Sequence, residues 1–172
     1  MLDQKFRDLM AGVCAPVSVV TTADIEGPHG ATVSSLASLS LRPALVSIAL
    51  DRQSALLSRI LRSGRFGVNV LHSAQDDIAM TFATRGADRF SRTPWTLTDG
   101  LPRLDDVSGW AACDVWRTVE AGDHLLLLGA VRNASTSHRA PLVYSHRTFG
   151  THSRFAERAR PPILDQISAC AG

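Results

Sequence analysis

Between Pro16 and Tyr144 the chain keeps returning to short runs of β-branched or alternating apolar residues, with only two or three helical patterns set among them. That spacing excludes a doubly wound fold, in which a crossover helix joins each pair of parallel strands. Strands that follow one another through short loops pair antiparallel, and six or seven of them bury a common face by curling together. The expectation is a mainly β fold with peripheral helices: a closed antiparallel barrel with the helices packed outside. A chain of 172 residues holds one such core.

The individual runs give the order. Val17, Val19, Val20, Thr21 and Thr22 form the first strand, which stops at a turn-forming stretch from Asp24 to Gly30. Thr32 to Leu41 reads as one alternating strand, with Val33, Ala37, Leu39 and Leu41 on a core face and Thr32, Ser34, Ser38 and Ser40 on a hydroxyl face. Leu45 to Leu50 and Phe66 to Leu71 are further apolar strands. Trp110 to Val119 and His124 to Val131, joined across Ala121-Gly122-Asp123, read as a long hairpin whose returning strand is apolar on both faces and therefore buried. Pro141 to Tyr144 is a last short strand.

Three segments show helical spacing. Leu2, Phe6, Leu9, Met10 and Val13 follow Asp3 as a possible cap and end near Gly12. Ser54 caps a second helix in which Leu56, Leu57, Ile60 and Leu61 share a face, and Gly64 stops it. Ser73 is expected to cap a third, with Ile78, Ala79 and Phe82 inward. The stretch holding Asp88-Arg89-Phe90 and Trp95 reads as a polar connection. Residues 1–150 form the domain, and 151–172, with Arg154, Arg158, Arg160 and Pro161-Pro162, form a tail or peripheral arm.

Composition narrows the function classes. Hydrophobic residues at 45% and charged residues at 20% exclude a disordered chain, and a formal charge of +2 is too small to bind nucleic acid or an anionic membrane by counterion release. No run approaches the ~18 apolar residues of a membrane span, and no apolar leader follows the first residues, so a cytoplasmic protein is expected. Cys14, Cys113 and Cys170 are far apart and form no C-x-x-C pair, which signals neither a disulfide framework nor a structural zinc; none is expected to be catalytic. The six histidines lack metal-ligand spacing, so no metal is expected. Gly27-Pro28-His29-Gly30 is not a dinucleotide fingerprint, and P-loop, G-x-S-x-G and H-E-x-x-H patterns are absent.

Two places carry what chemistry remains. The hydroxyl face beginning at Thr32 stands beside the helix start at Ser54, where free backbone amides and the dipole favour an anion and Arg52 adds a charge. Spacing alone leaves two readings open, a phosphate site or a solvent-facing strand beside an ordinary cap. The second place is a basic cluster, His124, His138, Arg139, His146 and Arg147, which reads equally as solvated surface.

Seven segments in order then resemble the flavin reductase family, the small reductase components of two-component flavin monooxygenases. They are Pro16 to Thr22, Gly30 to Pro43, Ser63 to Leu71, Gln75 to Ala83, Asp88-Arg89-Phe90, Gly122-Asp123-His124 and Pro141 to Tyr144. Arg42-Pro43-Ala44 departs from the family pattern, in which an acidic residue and two prolines are common, and Phe149 stands where Tyr is frequent. The resemblance implies a split β-barrel of the FMN-binding type and a homodimer. It also implies hydride transfer from NADH or NADPH to FMN or FAD, with reduced flavin passed to a partner monooxygenase. It places Gly30, Ala31, Thr32, Val33, Ser34 and Ser35 along the flavin, Leu50, Asp51, Arg52, Gln53 and Ser54 at its phosphate, and Arg89 near it. His124, the catalytic candidate, and His146-Arg147 face the nicotinamide. Hydride transfer of this kind needs stacking and alignment more than an ionisable side chain, and the sequence shows no nucleophile or dyad. The alternative is a flavin-binding carrier or assembly module without turnover.

Overall fold

The computed structural model describes residues 2–152, so the expected tail from 153 onward and Cys170 lie outside the described residues. The elements are α1 (Leu2–Ala11), β1 (Ala15–Pro16), β2 (Ser18–Asp24), β3 (Gly27–Val33), β4 (Ala37–Leu41), β5 (Ala44–Asp51), α2 (Ala55–Ser63), β6 (Arg65–Val70), α3 (Asp76–Ala83), β7 (Trp95–Thr98), β8 (Leu101–Leu104), β9 (Gly109–Ala121), β10 (His124–Thr136), β11 (Leu142–Ser145) and β12 (Thr148–Thr151). Seven strands form one antiparallel sheet in the order β3-β2-β6-β9-β10-β5-β4. The fold is mainly β with few helices, and the sheet has two ends, β3 and β4. A side chain bridges part of the gap between them: Ser35 Oγ accepts from Ala49 N at 2.9 Å and donates to Ala49 O at 3.0 Å, tying the segment after β3 to β5.

Two apolar clusters hold the sheet. One gathers Val20, Ile48, Leu56, Ile60, Phe66 and Leu127, and the other Val19, Leu71, Phe82, Leu101, Leu104 and Trp110. α2 supplies the first because its apolar residues recur at helical spacing and bury Leu56, Leu57 and Ile60. Ser54 stands extended at its N-cap, and Gly64 closes its other end at φ 69°, a left-handed conformation that only glycine adopts without strain. α3 supplies Phe82 to the second cluster.

Several sequence expectations are corrected. Asp24 to Gly30 is not all turn: β3 already runs from Gly27, leaving a tight bend at Ile25 and Glu26. The Thr32–Leu41 alternation is not one strand, because the chain leaves β3 after Val33 and starts β4 at Ala37; the Ser35 bridge to β5 holds that break. Leu39 and Leu41, read as core, are 49% and 86% exposed. Ser73 does not cap α3; Gln75 takes the N-cap position without a side-chain bond to the helix, and its amide instead spans His72 N and Asp105 O. The stretch around Trp95 holds a hairpin, β7–β8, whose Leu101 and Leu104 are fully buried. Residues 148–151 add β12, paired with β11. On the returning strand β10, Leu127 is fully buried while its leucine neighbours are half-buried.

Candidate functional site

β3, the N-terminus of α2 and the loop after α3 enclose a cleft of about 880 Å³, lined by His29, Ala31, Ser54, Phe82, Arg85 and Arg89 among others. A smaller cleft of about 360 Å³ runs from β3 along β5 to His124. The two meet at Ala31, Thr32, Asp51 and Ser54. Gly30, Ala31, Thr32, Asp51, Gln53, Ser54 and Arg89 line the larger, and Ala31 to Ser35, Leu50, Asp51, Ser54 and His124 the smaller. The structure thus brings twelve of the fifteen expected residues to one trough.

Three expected residues stand elsewhere. Arg52 lines neither cleft; its Nη2 is 3.3 Å from Glu120 Oε2, and both side chains are largely exposed. His146 and Arg147 lie on the β11–β12 turn against α1, where the His146 amide donates to Ala11 O and Arg147 sits 3.7 Å from Asp8.

Each wall has a local cause. Gly30 sits where a Cβ would come within 3.0 to 3.1 Å of Val20 O, Phe82 Cε1 and Thr21 Cγ2, so a side chain there would crowd the contact of Phe82 on α3 with β3. The hydroxyls of Thr32 and Ser35 are already committed, Thr32 Oγ1 donating to Ala79 O at 2.7 Å and Ser35 to β5. They build the trough rather than offer donors into it, which spacing could not reveal; Ser34 is the exposed hydroxyl of the segment. At the junction Asp51 O accepts from Ser54 N and Asp51 Oδ1 from Gln53 N, turning the chain from β5 into α2. Ser54 Oγ accepts from Leu57 N at 3.5 Å, while the amides of Ala55 and Leu56 have no acceptor within the helix. The first turn of α2 carries no acidic residue to offset its positive end; the nearest carboxylate, Asp51, stands before the helix with its Oδ1 accepting from Gln53 N.

Arg89 fixes the outer wall. Its Nη1 donates to Gly30 O at 2.6 Å and its Nη2 to Thr84 O at 2.8 Å, while its Nε is buried without a partner. Burial pulls its pKa below the ordinary value. Burial first, and then the charges of Arg59 and Arg89, lower the pKa of His29, a cleft residue that sequence reading left in a turn. Its signal was the alternation Pro28-His29-Gly30-Ala31 continuing Thr32-Val33 backwards. At the far end of the smaller cleft His124 Nδ1 lies 2.7 Å from Asp123 Oδ1, and this bond holds the Asp123 carboxyl below its usual range. Cys113 is buried under the sheet, its thiol pushed up by burial, and further by Asp114, to about 12; Cys14 is exposed and free.

These residues could hold a flat, partly polar ligand carrying an anionic group: apolar and backbone walls for a ring, a helix end for the anion, and a partly buried guanidinium beside both. The model of the Flavin reductase like domain matches residues 10–153. A flavin reductase (NADPH) of Lentzea aerocolonigenes is 39% identical over 147 residues, covering 83% of this chain and 86% of that one. The reductase component of a flavin-dependent trigonelline monooxygenase from Acinetobacter baylyi is 33% identical over 153 residues, 88% of this chain and 49% of its own. The solved structure of a nitrilotriacetate monooxygenase component B homolog from Mycobacterium thermoresistibile superposes with a TM-score of 0.86 at 30% identity, covering 94% of this chain and 92% of that one. This chain spans about half the length of some curated relatives, the Acinetobacter protein among them. By sequence over most of its length and by fold, the chain belongs to the family of flavin reductase like domains.

Proposed function

We propose that the chain is an NAD(P)H-dependent flavin reductase that binds FMN or FAD in the trough and hands reduced flavin to a monooxygenase component. The observation that carries this reading is the meeting of two clefts at the N-terminus of α2, where Ser54 caps one amide, two others have no acceptor within the helix and the first turn holds no acidic residue, with the partly buried guanidinium of Arg89 as a wall. A bound flavin supplies the electrophilic ring that accepts hydride from a nicotinamide. The chain's own residues position it. The Ala55 and Leu56 amides with Ser54 receive the phosphate, and Arg52 leaves its exposed pair with Glu120 to join them, since such pairs are worth little. The β3 backbone from Gly30 onward and the buried Leu50 flank the ring and exclude water. His124, oriented by Asp123, faces the nicotinamide from the open end.

The same reading includes a homodimer, in which a second copy covers the apolar β4 edge and brings His146 and Arg147 to the nicotinamide side. It also includes a barrel closed through Ser35 rather than by a ladder, and a reducing cytoplasm in keeping with the free Cys14 and Cys113. Mixing the purified protein with flavin and NADH or NADPH without oxygen tests the activity. Bleaching of the flavin absorbance at a rate that depends on the protein is the expected result. A protein that binds flavin and leaves it yellow would be a carrier.

A further inference from the structure

The inference concerns a group of ion pairs behind the trough and rests on the flavin reading of it. A flavin that lies along β3 and sets its phosphate on the first turn of α2 spans two elements, so its affinity depends on how those elements stand to one another. Leu56, Leu57 and Ile60 pack α2 onto the sheet through non-directional apolar contacts, whereas a guanidinium fork held by two carboxylates fixes direction as well as distance. We infer that Arg59, through Asp24 and Glu26, is a positioning residue of the flavin site: it sets the start of α2 relative to β3, and with it the affinity for flavins that carry a phosphate.

The geometry is a brace of two arginines and two carboxylates. Arg59 stands one turn after Ala55 on α2; its Nη1 donates to Asp24 Oδ1 at 2.8 Å and its Nη2 to Glu26 Oε2 at 2.6 Å. Arg62 Nη2 donates to the other oxygen of Asp24 at 3.0 Å and lies 3.6 Å from Glu26 Oε1. Asp24 ends β2 and Glu26 directly precedes β3, whose Pro28, His29 and Gly30 line the same cleft as Ser54 and Ala55. The Asp24 carboxylate is itself oriented, since its Oδ1 also accepts from Glu26 N at 2.9 Å. Exposed ion pairs are worth little, but the Arg59 and Asp24 side chains are only 16% and 14% exposed, which limits screening. The brace lies within electrostatic reach of the cleft wall: burial is the first cause of the lowered pKa of His29, and Arg59, Asp24 and Glu26 are among the charges that act on it. None of the four brace residues lines either cleft, so the brace acts through the elements it joins and not by touching a ligand.

Equilibrium titration of the full chain with FMN and riboflavin, in the absence of nicotinamide and followed by flavin fluorescence, separates positioning from charge. Asp24→Asn removes a negative charge behind the trough, which by charge alone would tighten FMN. As the loss of a brace it should instead weaken FMN by about 3-fold to 10-fold and riboflavin by less than about 2-fold. Arg59→Ala should weaken FMN by a similar factor, add little in the Asp24→Asn background, and raise KM for FMN while kcat at saturating FMN holds. Arg59→Lys should recover part of that loss, because one charged donor remains. Glu26→Gln, on the exposed bend, leaves the core alone and should weaken FMN by about 2-fold with riboflavin unchanged. Tighter or unchanged FMN binding by Asp24→Asn, or by Glu26→Gln should the former not fold, would overturn the inference. So would equal losses for FMN and riboflavin, or a kcat that falls at unchanged KM. Each of these results leaves the flavin reading intact, whereas failure of the unaltered chain to bind either flavin would overturn that reading and this inference together.

Discussion

Strands β3 and β4 are the two edges of one sheet, and the chain treats them in opposite ways. β3 is covered: α3 packs on it through Phe82, Thr32 bonds to Ala79 O, and Arg89 caps the outward carbonyl of Gly30. β4 is bare, with Ala37, Ser38, Leu39 and Leu41 exposed along its length. An edge strand offers unpaired amides and carbonyls, and proteins either cover it or use it. The covered edge has become the wall of a small-molecule trough. The bare edge carries apolar side chains that a single copy leaves in water, which is why the proposed dimer is placed there.

The largest effect should come from undoing the cover of β3. Phe82 is fully buried, so Phe82→Ala is expected to lower unfolding free energy by about 3–5 kcal/mol in urea denaturation and to weaken every flavin alike. A loss below about 1 kcal/mol would mean that α3 does not hold the edge. Next is the junction itself: Arg52→Ala should weaken FMN and FAD by about 10-fold and leave riboflavin unchanged. Identical titration curves for variant and parent would leave Arg52 with Glu120 alone.

The bare edge should respond in the opposite sense. Leu41→Asp is expected to change folding stability by less than about 0.5 kcal/mol in a single copy, because the side chain is already in water. The same change should shift the mass seen by light scattering from two copies toward one. A parent protein that scatters as a single copy at micromolar concentration would break the contrast between the edges.

The smallest effect is a pH dependence. His29 has its pKa lowered below the ordinary 6.5 in the folded chain, first by burial and then by Arg59 and Arg89, so the unfolded chain takes up the proton first. Stability is therefore full above that value and declines as pH falls through it. His29→Gln should flatten thermal-unfolding midpoints between pH 7 and pH 5 by removing this contribution, about one proton's worth of slope at most.

These edges also mark how far the sequence could be read. The capped helix from Ser54 to Gly64 was legible because its signals are local: a hydroxyl at the start, a glycine at the end and apolar residues one turn apart. The pairing of β9 with β10 followed from two apolar runs joined by a short turn, whereas the pairing of β10 with the distant β5 had no local signal. The break between Val33 and Ala37 was not legible, because Thr32 to Leu41 alternates without interruption and only the Ser35 bridge to Ala49 parts it. Exposure of Leu39 and Leu41 was hidden for the same reason, since alternation names a face and not what covers it. Most of the site came from resemblance, and the structure gathers it at the trough. His29 escaped notice because Gly27 and Pro28 read as a turn, and turn composition outweighed the short alternation beyond it.

The central claim is that the start of α2 receives the flavin's phosphate, and Ala55→Asp tests it most directly. A carboxylate at the first turn suits the helix dipole, so thermal stability should hold or rise slightly, while the added negative charge repels an incoming phosphate. Titration of this variant with FMN and riboflavin should show FMN affinity falling by roughly 10-fold or more and riboflavin changing by less than about 2-fold. An FMN affinity equal to the parent's, in a folded variant that still binds riboflavin, would contradict the account.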